Sequence, residues 1–200
     1  MSDEEVKKRT DATIKMANVA GVSAETVADQ MTAVWNNFAQ GSDNLEYFAD
    51  VLVKLGAYTA SSTDEITQGL EKFSSVAQTI GLSYEYASSA LATITATTRE
   101  SADVAGTALR TLFSRIQGLT LGETQDDGTN LNKYSEALSK VGINIKDTSG
   151  ELKDMDTILN ELGDKWTTLR RDQQMALAQT VAGVRQYNQL ITLMSNWDYF

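Results

Sequence analysis

The sequence predicts a mainly α fold: a multi-helix bundle of about nine helices with short glycine turns and one small β-hairpin near 143–153. Three observations carry this. Apolar residues recur every three or four positions along nearly the whole chain, the spacing that lines one face of a helix. Proline, which breaks helix interiors, is absent from all 200 residues. Serines and glycines fall at the ends of the periodic runs, where helix caps favour them.

Residues 1–118 read as one helical subdomain of roughly six helices. Leu45, Phe48, Ala49 and Leu52 form one stripe, and Ile66, Leu70, Phe73, Ala77 and Ile80 form the next. Tyr84, Ala87, Leu91 and Ile94 follow, then Ala105, Ala108, Leu109, Leu112, Phe113 and Ile116. Ser62-Thr63-Asp64-Glu65 has the spacing of a capping box. Ser23, Ser42, Ser83 and Ser101 are further N-cap candidates, and Gly21, Gly41, Gly56, Gly81 and Gly118 are placed for left-handed helix stops. One pattern repeats at an offset of 60: Gly21-Val22-Ser23-Ala24-Glu25 against Gly81-Leu82-Ser83-Tyr84-Glu85, with Ala17/Ala77, Met31/Leu91 and Val34/Ile94 in register. Either a helical hairpin is duplicated, or a generic helix stop and start occurs twice.

Residues 119–130, rich in Gly, Thr, Asn and Asp, read as a polar loop. A second helical subdomain, 131–200, opens with the stripe Leu131, Tyr134, Leu138, Val141. Ile143-Asn144-Ile145, the turn residues Asp147-Thr148-Ser149-Gly150 and Glu151-Leu152-Lys153 are the hairpin candidate. Helices at about 155–168, 172–182 and 184–197 close the chain, with Gly183 dividing the last two.

Composition excludes several function classes. There is no histidine and no cysteine, which removes His-dependent nucleophiles, thiolates, Cys/His zinc sites and disulfides. A net charge of −10, from 17 basic and 27 acidic residues, argues against nucleic-acid binding and against anionic membrane surfaces. The acidic start Met1-Ser2-Asp3-Glu4-Glu5 is unlike a secretory signal, and no apolar run is long enough to span a bilayer. The segment reads as soluble.

Carboxylates are the remaining acid–base option. Glu46/Asp50, Asp64/Glu65 and Asp126/Asp127 are close in sequence, but they lie at caps, on helix faces or in the polar loop and read as solvated acids. Asp126-Asp127-Gly128-Thr129-Asn130 lacks calcium-loop spacing, and Gly118-Leu119-Thr120-Leu121-Gly122 lacks the Lys-Ser/Thr ending of a phosphate loop. Arg110 and Arg115 suit either the C-terminal end of a helix dipole or a subunit contact. Trp35, Trp166 and Trp197 fall on or beside apolar stripes and read as core. No cofactor is expected.

Two segments are more particular. Ser101-Ala102-Asp103-Val104-Ala105-Gly106-Thr107-Ala108-Leu109-Arg110-Thr111-Leu112-Phe113-Ser114-Arg115-Ile116 resembles a signature of phage tail tape measure proteins. So does the run from Ala178 to Asn188, and Trp35-Asn36, Thr59 to Glu65 and Asn196-Trp197-Asp198 are similar to the same pattern. The resemblance covers roughly Ala17 to Asp198 and concerns the family's shared core region. It implies a structural role in a phage or prophage tail, with the tape on the tube axis setting tail length and assisting genome ejection. It also implies self-association and partners among tail tube, tail tip and tail chaperone proteins, in the virion tail and, during assembly, the host cytoplasm. Arg110, Phe113, Arg115, Arg185, Gln186, Tyr187 and Trp197 are the signature or interface residues it marks.

As one continuous helix the chain would reach only ~300 Å, and turns shorten it further. It is therefore expected to be a segment of a longer tape rather than the whole ruler. A generic helical adaptor and a wall-hydrolase accessory domain are the alternative readings, and no enzyme activity is expected.

Overall fold

In the computed structural model, residues 2–39, 45–121 and 132–199 are described, the side chains of 116–121, 132 and 199 excepted. Ten helices build them: α1 (Asp3–Ala20), α2 (Ala24–Phe38), α3 (Leu45–Tyr58), α4 (Thr63–Thr79), α5 (Tyr84–Thr98), α6 (Ala102–Leu121), α7 (Asn132–Lys140), α8 (Met155–Trp166), α9 (Arg171–Ala182) and α10 (Tyr187–Ser195). A 3₁₀ turn, Trp197–Tyr199, follows. The count is ten rather than about nine: six up to α6, and four, α7 to α10, after it.

Serine caps start the helices where the sequence placed them. Ser23 and Ser83 accept the amides of Thr26 and Tyr86, and Ser62 with Glu65 forms the complete capping box. Gly21 and Gly81 take φ of +70° and +69°, a conformation that costs other residues about 1–2 kcal/mol. The other glycine stops differ. Gly56 lies inside α3, pressed against the Thr63 backbone, and α6 runs through Gly118 to Leu121. Gly41 and Ser42 lie outside the described residues.

The expected β-hairpin does not form. Among the described residues there is no strand, and 143–153 holds a single antiparallel bridge between Lys146 and Leu152. The reversal itself is present. Asp147 Oδ1 accepts from Ser149 N (2.8 Å), Ser149 Oγ (2.6 Å) and Glu151 N (3.0 Å), and these bonds, the Ser149 hydroxyl first, hold its carboxyl below the usual range. Pairing stops after one bridge because only Ile143 is buried, while Leu152 is 40% exposed. Alternation without a shared buried face does not sustain two short strands.

The offset-60 pattern extends over whole helices. Asp3 and Thr63 begin α1 and α4, and α2 and α5 both start and end in register. Ser2 caps α1 through Glu5 N as Ser62 caps α4 through Glu65 N. The units α1–α3 and α4–α6 are joined by α2 against α4, where Gln30 Nε2 donates to Asp64 Oδ1 (3.0 Å) and Asn37 Nδ2 to Ser74 Oγ (3.2 Å). Helices α4 and α6 cross closely: a Cβ on Gly106 would lie 2.5 Å from the Gly69 carbonyl. Phe73 packs on Phe113 at 5.8 Å beside that crossing, and Lys72 pairs with Asp103 at 3.2 Å.

The C-terminal helices seat on α5 and α6. Ser83 N donates to Asp156, Tyr86 Oη to Asn160 (2.6 Å) and Gln189 Nε2 to both oxygens of Glu100 (3.1 Å). Buried apolar residues from α1 through α10 form one cluster. Trp35 and Trp166 belong to it, whereas Trp197 is half-buried beside Tyr86 and over Gly163.

Candidate assembly interface

The motif segments, more than sixty residues apart in sequence, meet in space. The first opens at Ser101, whose hydroxyl accepts from Val104 N (3.4 Å), and occupies α6. The second covers the end of α9, the turn 183–186 and the start of α10. Gly183 ends α9 with a φ of +79°, and a Cβ built there would fall on the Arg115 guanidinium. Glycine is thus required twice over at this position, by backbone conformation and by close approach. Gln186 N closes the turn onto Gly183 O at 3.2 Å.

A second tie joins the outer ends of the two segments. Glu100 precedes the first motif and holds Gln189 of α10. Its neighbour Arg99 adopts φ +58° at the end of α5, with Nη1 donating to Ala60 O (2.5 Å). A left-handed arginine is unfavourable by itself, and the bond to Ala60 offsets that cost.

The candidate residues separate into three groups. Phe113 is fully buried against Phe73 and belongs to the core. Arg115, Arg185, Gln186 and Tyr187 are brought together around Gly183, with Arg185 exposed and the other three half-buried. Arg110 and Trp197 are not part of that group. Five residues along a helix turn through about 140°, so Arg110 leaves α6 on a different side from Arg115, and Trp197 packs by α5 and α8.

Among the described residues none of Arg110, Arg115 and Arg185 has an ion-pair partner. Val184, 78% exposed, stands beside Arg185. An exposed aliphatic side chain flanked by uncompensated guanidinium groups, on a chain of net charge −10, is suited to carboxylate-bearing protein surfaces, because guanidinium pairs carboxylates in a bidentate fork. The Arg115–Gly183 contact was not readable from spacing. Its only trace in the sequence is that both residues lie in the motif segments.

Three of the carboxylates flagged by sequence have partners. Glu46 pairs with Lys15, Asp64 accepts from Gln30, and Glu65 completes its capping box. Asp126-Asp127-Gly128-Thr129-Asn130 lies outside the described residues. Among the described residues no three acidic side chains gather where a metal ion could be held, and no helix is long and apolar enough to cross a membrane.

No solved structure matches the chain. The family model for phage-related minor tail protein matches residues 1–183, which takes in all of α1 to α9 and ends on the glycine beneath Arg115. The chain therefore belongs to the phage-related minor tail protein family.

Proposed function

We propose that this chain is the shared core module of a tail tape measure protein, acting by protein–protein contact and without catalysis. The observation that carries the reading is the junction at Gly183, where both tape-measure-like segments meet under Arg115 beside the exposed Val184 and Arg185. A core-only role would not need those exposed side chains, and tail membership supplies the setting. In this reading the module organises the tape inside the tail tube, contributes to setting tail length and assists genome ejection. It associates with other copies and with tube, tip and chaperone proteins. The negative net charge keeps it from adhering to the DNA that passes through the tail.

The test is made in the encoding phage or prophage. Arg115→Glu with Arg185→Glu is expected to abolish or shorten tails in electron micrographs while the purified chain keeps its helical circular dichroism. Tails of normal number and length from that variant would remove the junction from assembly. In-frame duplication elsewhere in the encoding gene should lengthen tails in proportion; unchanged length rejects the tape measure assignment. A zymogram on cell-wall material should stay blank.

A further inference from the structure

We infer that two faces left without a packing partner among the described residues fit each other, so that α1 of one chain docks into the groove between α7 and α9 of a second copy, head to tail. The first face is defined by the internal repeat. Asp3, Val6, Lys7, Thr10 and Ile14 of α1 are all exposed, whereas their counterparts at the offset of 60, Thr63, Ile66, Thr67, Leu70 and Ser74, are all buried. On α4 that side is seated against α2 and α3 of the preceding unit. On α1 no equivalent neighbour stands among the described residues, and Val6 and Ile14 are 48% and 49% exposed.

The second face is a groove of about 510 Å³ between α7 and α9. Its apolar lining includes Ala137, Val141, Ala176 and Leu177, and the exposed Lys133 and Lys140 line its α7 side with Glu136 between them. Dimensions and charge agree. Val6 and Ile14 are eight residues apart in α1, about 12 Å of helix, and Lys133 to Lys140 spans about 10 Å of α7. Asp3 and Asp11 flank the apolar positions of α1 with Lys7 between them, the reverse of the lysine–glutamate–lysine order on the groove. A helix anchored by apolar residues one to two turns apart is the usual occupant of such a groove. Because the two faces differ, the contact is heterologous and continues from copy to copy.

The proposal deepens the self-association in the tail reading and rests on it for its biological setting. Association of the purified chain tests the surfaces; the tail-length experiment tests the setting. Light scattering on size-exclusion peaks of the 200-residue chain should show mass rising with concentration beyond a dimer and falling with salt. Ile14→Asp and Ala176→Asp, both at exposed positions, should each weaken association by about tenfold or more with unchanged circular dichroism. Mixed in equal amounts, they should form a one-to-one pair that grows no further, since each retains one intact face. A chain that stays monomeric at every concentration overturns the inference. So does a variant that associates normally, or a mixture that yields no pair.

Discussion

The units α1–α3 and α4–α6 begin with the same local instructions and end in different surroundings. Each opens on a serine cap three residues before a glutamate, turns on a left-handed glycine, and re-enters a helix on a second serine. Yet α4 buries Ile66, Leu70 and Phe73 among eight residues, and α1 buries only Ala12, Thr13, Met16 and Ala17, all in its C-terminal half. Local chemistry sets where these helices start and stop. Position in the stack sets how much of each is removed from water. The same contrast appears at Ala24 and Tyr84, equivalent first residues of α2 and α5: Ala24 is exposed, while Tyr84 is buried and donates to Phe48 O across the units at 2.6 Å.

Truncation at equivalent positions of α1 and α4 should separate the two units most. Leu70→Ala should cost about 2–5 kcal/mol by urea unfolding, whereas Thr10→Ala, its counterpart, should stay within about 0.5 kcal/mol. Measured at a concentration where the chain is monomeric, similar costs at the two sites would mean that α1 is covered within the single chain. Next comes the crossing of α4 and α6. Gly106→Ala places a methyl against the Gly69 carbonyl and should cost about 1–3 kcal/mol; Tm by calorimetry reads it. Where α4 has Gly69, α1 has Arg9, stacked over Trp35 at 5.2 Å, so the first unit has no such sensitive point on that helix.

The shared caps give a smaller, matched pair. Ser23→Ala and Ser83→Ala should each lose about 1 kcal/mol, nearly equally, because the cap bond is local in both units. A large inequality would show that the turns are not equivalent. Tyr84 sharpens the difference between units through pH. Burial pushes its hydroxyl well above 10.0, so its contribution is present below that value and is lost as the pH rises through and beyond it, where the unfolded chain ionises first. Tyr84→Phe should lose about 1 kcal/mol near neutrality and flatten the alkaline decline. The smallest effect is at Asp147, whose lowered carboxyl holds its turn above about pH 4 and releases it as the pH falls further. Amide exchange at Ser149 and Glu151 should rise there relative to Asp147→Asn, beyond the intrinsic pH dependence.

Much of this was legible in the sequence because the signals are short-range. The stripes through Leu45 to Leu52, Ile66 to Ala77 and Tyr84 to Ile94 need only helical periodicity, and the caps at Ser23, Ser62 and Ser83 need only the amides three residues on. Gly56 has the opposite outcome for the same reason: a glycine looks like a stop until the neighbour it admits, here Thr63, is known. The turn at Asp147 was visible, but strand pairing beyond Lys146 and Leu152 depends on a common buried face, which alternation alone does not supply.

By itself the sequence determined a mainly helical chain, its principal helix starts, the offset-60 pattern, and the motif segments that point to a phage tail. Each is written in spacings of a few residues or in local identity. Only the tertiary structure decided that Arg115 closes over Gly183, that Phe113 is core while Arg185 is surface, and that α1 keeps exposed the face its counterpart buries. Those outcomes depend on which helices stack against which, and contacts between residues tens of positions apart leave no periodicity in the chain.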